Sequence, residues 1–264
     1  MSAVQSVGAT YCGNATGLTG LDTTSLDFSL TVWVKLRSAC DVYRHGNSSN
    51  PFRDGHYIYV LNVGGAARFM ACQSAGSTQA NSSVRFVSIS QWCHLGFVSS
   101  ADGVLFYRDG RLFSTAAPLT APTVAGTRTT EVPGTSGGGL LGAAFDWRVF
   151  PGVALSPGEI LATMDPRRAV GRCAGRWFAR TWANGASVSI PDESGNGNNL
   201  TAHSQLLRAS QVEEPPWREA VGAAPFSRAR LRYPMWLKGA PAAGGLSIPF
   251  SLAKTEQMQT LMSL

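Results

Sequence analysis

The stretch VLFYRDGRLFS, Val104 to Ser114, decides the fold class. Asp109-Gly110 supplies the positive φ angles that a two-residue hairpin turn requires, and the flanking runs are strand-like, so two antiparallel strands are predicted. Upstream, FSLTVWVKL (Phe28 to Leu36) places Phe28, Leu30, Val32, Val34 and Leu36 on one face and Ser29, Thr31, Trp33 and Lys35 on the other. That alternation is the pattern of a half-buried strand. HYIYVLNV from His56, RFMACQ from Arg68, VRFVSI from Val84 and WCHLGFVS from Trp92 are further candidates, separated by Gly, Ser and Asn clusters. Downstream, LLGAAFDWRVF sets Phe145, Trp147 and Val149 on one face, and GRWFARTW, ASVSI and NLTAHS return to strand character.

Only LSPGEI breaks the strand pattern. Ser156 suits an N-cap, Pro157 the first helical position and Glu159 the third, a capping box that predicts a short helix over 157–164. Roughly ten or more short strands with one short helix predict an all-β chain, an antiparallel two-sheet jelly-roll sandwich. The expected division is an N-terminal segment 1–20, a sandwich 21–211 and an extended C-terminal arm 212–264. The arm holds six of the 14 prolines, which oppose ladder pairing. It also carries Trp217, Phe226, Tyr233, Trp236 and Phe250, more aromatic character than a disordered tail has, and the basic Arg230. These six are the candidate partner-binding residues.

Composition narrows the function. With 264 residues, 29 glycines and 14% charged residues, the chain favours strands and turns over helices. The net charge is +6, of which the segment to Ile160 contributes +1 (ten Lys/Arg against nine Asp/Glu) and the remainder +5. No run of five like charges occurs, so nucleic acid is not an expected partner. The start MSAVQSVGATYCG lacks the pattern of a secretion signal, and no stretch approaches about 18 apolar residues; the expectation is a cytoplasmic product that spans no membrane. The five cysteines form no C-x-x-C pair, which argues against disulfide or zinc frameworks and for small buried apolar residues.

Catalytic patterns are weak. No E-x-D occurs, whereas retaining glycosidases need two carboxylates about 5–5.5 Å apart. GTSGG (Gly134 to Gly138) and GGGLLG (Gly137 to Gly142) match a nucleophile elbow and a dinucleotide fingerprint in letters, but neither sits between a strand and a helix. His94 reads as a packing histidine. PDESGNGNNL, Pro191 to Leu200, imitates a calcium loop: Asp192, Ser194 and Asn196 fall at the first, third and fifth positions, but His203 stands where the twelfth requires glutamate. A turn is the default reading, with Asp192 and Asn196 kept as candidate calcium ligands. Tyr43, Asn47, Asn50 and Phe52, in DVYRHGNSSNPFRDGHY, offer an aromatic platform with amide partners and are the candidate glycan-binding residues.

Four stretches in order, FSLTVWVKL, WCHLGFVSSADGVLFYRDGRLFS, FDWRVFPGVALSPGEI and WFARTWANGASVSIPDESGNGNNLT, resemble the laminin-G-like members of the concanavalin A-like lectin/glucanase superfamily over about residues 20–205. The second resembles the family's W-H-h, strand, D/N-G turn, strand; the third its D-x-h-R-h-[YF]-x-x-x-L-S-x-x-E-I ending. In many relatives the S-G-N-G-N loop precedes the aromatic strand, whereas here it follows the L-S-x-x-E-I turn. The resemblance implies two curved antiparallel sheets with rim loops that bind sugars or calcium in some members, and it does not fix a function.

The expectation drawn from these features is a non-enzymatic structural protein of a bacteriophage particle, such as a head decoration, spike or tail component. It would be held by its arm on an acidic surface of other virion proteins or of further copies, assembled in the host cytoplasm, and would need no cofactor. The alternative is a carbohydrate-binding module for a host surface glycan.

Overall fold

A computed structural model of the chain describes residues 3–6, 13–37, 39–47, 55–60, 67–73, 76–82, 86–88, 90–122, 128–132, 142–178, 189–202 and 206–209. The arm, with all six partner-binding candidates, lies outside the described residues. Within them the strands are β1 (Ala3–Ser6), β2 (Gly13–Thr16), β3 (Phe28–Leu36), β4 (Cys40–Asn47), β5 (Gly55–Val60), β6 (Ala67–Gln73), β7 (Gly76–Asn81) and β8 (Trp92–Ser100). They continue with β9 (Gly103–Arg108), β10 (Arg111–Ala116), β11 (Arg128–Val132), β12 (Gly142–Pro151), β13 (Gly175–Trp177), β14 (Ser189–Ile190), β15 (Leu200–Ala202) and β16 (Leu206–Ala209), with one helix, α1 (Pro157–Thr163), before β13.

The strands form two 8-stranded antiparallel sheets. The first runs β10-β9-β8-β3-β12-β1-β16, with β13 also on β12, and the second runs β14-β15-β2-β11-β4-β5-β6-β7. Between them lies one core, with Phe28, Val32, Leu36, Ile58, Phe97 and Trp147 among its buried side chains. It is stitched across by Trp147 Nε1 donating to the Val42 carbonyl at 3.1 Å. The sandwich and its single helix agree with the fold class read from the sequence.

The predicted hairpin forms at Asp109-Gly110, where φ is +51° and +73°. The Asp109 carboxylate also accepts from the His94 backbone N–H at 2.9 Å, fastening the turn to β8. The turn lies under the helix: a Cβ on Gly110 would stand 2.6 Å from Leu161 Cδ1 and 2.7 Å from Met164 Sδ. The helix begins as its sequence requires. Ser156 Oγ accepts from the Glu159 N–H at 3.3 Å, and the Glu159 carboxylate accepts from the Ser156 N–H at 2.8 Å, which satisfies two otherwise orphaned donors.

This helix covers the outer face of the first sheet. Ile160, Leu155, Val98, Tyr107 and Phe150 form a second buried cluster there, and Trp33 Nε1 donates to the Met164 carbonyl at 3.1 Å. The alternation in FSLTVWVKL therefore corresponds to a strand buried on both faces rather than half-buried.

Three further expectations change. Phe86 and Val87, from the predicted strand VRFVSI, are not in a strand; they plug the core, with Phe86 in edge contact with Phe97 and Phe106. Strand β7, from the polar sequence GSTQAN, had no expected counterpart. Residues 3–6 and 13–16, within the expected N-terminal segment, supply β1 to the first sheet and β2 to the second.

Candidate functional site

Three polar constellations stand out among the described residues. The first joins the 17–27 segment to β4 and β11. The Asp22 carboxylate meets His45 Nε2 at 2.8 Å and Arg128 Nε at 3.4 Å, and His45 Nδ1 meets Thr130 Oγ1 at 2.8 Å. Burial pushes the His45 imidazole down, against the pull of Asp22. The His45 hydrogen bond, with the charges beside it, holds the Asp22 carboxyl below its usual range. The neutral ring therefore donates from Nε2 to the carboxylate and accepts the Thr130 hydroxyl proton at Nδ1.

This order of groups is that of a hydrolase triad, but its exposure is reversed. A triad presents its hydroxyl to substrate and buries its acid. Here Thr130 is 0% exposed while the Asp22 side chain is 44% exposed. The group ties a loop to the sheet and has no accessible nucleophile.

The second constellation lies between α1 and the first sheet. Arg148 donates to Asp146 Oδ2 at 2.6 and 3.0 Å and to the Asp165 and Arg168 carbonyls, and Arg176 donates to Asp146 Oδ1 at 2.8 Å. One buried acid thus serves two arginines. His94 packs beside this group, edge-on to Trp33, with its imidazole pushed down to about 3 by burial. It is a packing histidine, as read from the sequence.

The third is the turn at Asp192. Its Oδ1 accepts from the Arg176 and Ser194 N–H groups, and its Oδ2 from Ser194 Oγ and the Asn198 N–H, at 2.7–2.9 Å. Asn196 Nδ2 donates to the Cys173 and Ala174 carbonyls, and Asn198 bridges to both backbone groups of Thr19 at 2.8 Å. A calcium ion held by Asp192 and Asn196 would have to displace these donors. Among the described residues no group of three or more His, Cys, Asp or Glu could hold a metal.

Of the four glycan candidates, Tyr43 has a described side chain. Tyr43 is 0% exposed, because the register shift between Asp41 and Tyr43 turns Val42 and Tyr43 both into the core. It offers no ring face to solvent and cannot be the platform expected of it. Asn47 ends β4 opposite Arg128, and Asn50 and Phe52 lie outside the described residues.

The outer face of the second sheet is the more suggestive surface, and sequence reasoning missed it. Cross-strand register sets Asp41, Tyr59, Arg68 and Asn81 in one row over β4, β5, β6 and β7, and Glu131, Arg44 and Tyr57 in the next over β11, β4 and β5. At about 4.8 Å per strand the first row spans roughly 14 Å. Arg68 Nε donates to Asn81 Oδ1 at 2.7 Å and Nη1 to Tyr59 Oη at 2.8 Å, with the guanidinium 5.4 Å from the Tyr59 ring centre. Arg44 pairs with Glu131 at 3.2 Å. Exposure rises toward the edge: Tyr57 is buried, Tyr59 and Arg68 are half-buried, and Gln79 and Asn81 are exposed. Among the described residues no helix lies over this face. The available signal was the alternation of tyrosines in HYIYV, whose facing is set only by the register.

Residues 12–161 match the model of the concanavalin A-like lectin/glucanases superfamily. No curated protein sequence matches the chain. Among solved structures, a putative carbohydrate binding protein from Bacteroides ovatus is similar at 11% identity and a TM-score of 0.53, over 78% of this chain and 59% of that one. The heptameric SAP-like pentraxin of Limulus polyphemus aligns at 13% identity and a TM-score of 0.42, over 63% and 82% of the two chains. The CBM40 of the Ruminococcus gnavus IT-sialidase, bound to α2,6 sialyllactose, aligns at 12% identity and a TM-score of 0.45, over 61% and 96%. With two antiparallel sheets on one core and a family match over more than half of its length, the chain belongs to the concanavalin A-like lectin/glucanase superfamily.

Proposed function

We propose that this protein is a non-catalytic carbohydrate-binding module that lays a glycan on the outer face of its second sheet, against Tyr59, Arg68, Gln79 and Asn81. The observation that carries this reading is the contrast between the two outer faces. One is sealed by α1 and an apolar cluster; the other bears a row of aromatic, cationic and amide side chains whose exposure increases toward β7. A saccharide is amphipathic, with apolar C–H faces that pack on a tyrosine ring and equatorial hydroxyls that planar polar groups hold. The name of the Bacteroides ovatus protein of similar fold supports the same reading.

A catalytic role has little support: the sequence lacks E-x-D, and the Thr130 hydroxyl is buried. The reading as a bacteriophage particle component draws on residues 212–264, and no feature of the described residues favours it over glycan binding.

The test is a glycan array with the full-length chain, with and without calcium, followed by calorimetry on the best ligand. Tyr59→Ala is expected to weaken binding by about 2 kcal/mol, the loss of a buried aromatic anchor. Silence on the array rejects the module, and unchanged affinity of Tyr59→Ala rejects this face.

A further inference from the structure

Most arginines with described contacts are neutralised. Arg44 pairs with Glu131, Arg148 and Arg176 with Asp146, Arg167 with Asp165, and Arg172 with Glu159. Arg68 differs. Its three contacts are to the Asn81 amide oxygen, the Tyr59 hydroxyl and the Tyr59 ring, all uncharged, and it makes no ion pair among the described residues. Its Nη2 amino group has no hydrogen bond there. A half-buried guanidinium is thus fixed at Nε and Nη1, with Nη2 uncommitted and no ion pair among the described residues, beside exposed Gln79 and Asn81.

Such a group is a prepared receptor for an oxyanion. The two N–H groups of Nη2 can donate to the oxygens of a carboxylate or sulfate, and holding the guanidinium in place beforehand removes the side-chain ordering that binding otherwise costs. The net charge of +6 adds a favourable long-range field for an anionic ligand. Resting on the glycan-binding reading above, we propose that this face selects anionic saccharides, those carrying a carboxylate or a sulfate, and that Arg68 is the residue that reads the anion.

The experiment titrates the full-length protein with matched oligosaccharides in three arms: a neutral backbone, the same backbone bearing a sialic or uronic carboxylate, and the same backbone sulfated. The expected result is at least about tenfold tighter binding in one or both anionic arms, weakened by added salt. Arg68→Gln should abolish that preference, bringing the three arms of the variant to equal affinity, with the melting temperature near wild type. Arg68→Lys should recover only part of it, because the charge returns without the planar guanidinium. The carboxylate and sulfate arms separate the two sources of the anion. Equal affinity in all three arms overturns the inference and leaves glycan binding standing. An anionic preference that survives Arg68→Gln also overturns it, because the anion is then read elsewhere. Binding in none of the arms removes both readings.

Discussion

Acid should weaken this sandwich well before its carboxylates titrate, because two of its histidines are buried in the neutral form. His56 is stacked on Phe28 with ring centres 4.2 Å apart, and His94 lies between Trp33 and Thr163. Burial pushes each imidazole from 6.5 to about 3. Between those limits the unfolded chain binds a proton at each ring and the native chain does not, so stability is full above the ordinary imidazole range and falls with pH below it. From pH 7 to pH 5 the loss is about 2 kcal/mol per histidine, about 4 kcal/mol together. That is a large part of the roughly 5–15 kcal/mol of a typical domain. His45, also pushed down by burial, acts in the same direction. Asp22, Glu159 and Asp165, held low by their partners, add their losses only further down, within the carboxylate range. Urea unfolding followed by tryptophan fluorescence at stepped pH measures the effect. His56→Phe keeps a ring against Phe28 and removes one titrating group, so its loss over the same interval should fall by about 2 kcal/mol whatever its baseline. A transition midpoint that stays level from pH 7 to pH 5, or an unchanged loss in His56→Phe, refutes the reasoning.

The remaining predictions concern single contacts. Asp146→Ala leaves Arg148 and Arg176 without their shared acid and should cost about 3–5 kcal/mol in urea unfolding, while a loss near zero would show that water reaches the arginines. Gly110→Ala meets both a positive φ and two side chains of α1 and its end, so its melting temperature should drop by more than that of an Ala substitution at Gly158, which has open space around it. Millimolar calcium should leave the melting temperature unchanged, since the Asp192 oxygens already accept four hydrogen bonds; a rise would show that the turn gives them up to the ion.

What the sequence revealed was local. The turn at Asp109-Gly110 and the cap at Ser156 are set by residues within four positions of one another, and both formed as read. What it concealed was set at a distance. Trp33 was assigned to the second face of a half-buried strand, and its cover comes from Met164, 131 residues on. Tyr43 looked like a surface aromatic because alternation cannot foresee a bulge between β4 and β5. The strands AVQS and GNAT are too short and too polar to announce themselves, and exist because β12, β16 and β11 offer them partners. The Tyr59–Arg68–Asn81 row likewise depends on the register of three strands.

The pairing of β1 with β12 and β16 also bears on how the chain is made. Among the described residues, 3–6 find their neighbours at 143–144 and 206–209, so β1 waits for strands made far later in synthesis. At about 5–20 residues per second, the stretch from β1 to β16 takes on the order of ten to forty seconds, during which at least one edge of β1 is open. Closing so long a loop is slow, and an unpaired edge is a template for other chains. Nascent-chain protection at β1 should therefore lag that of the β8–β10 meander, and expression at lower temperature or with chaperone support should raise the soluble yield.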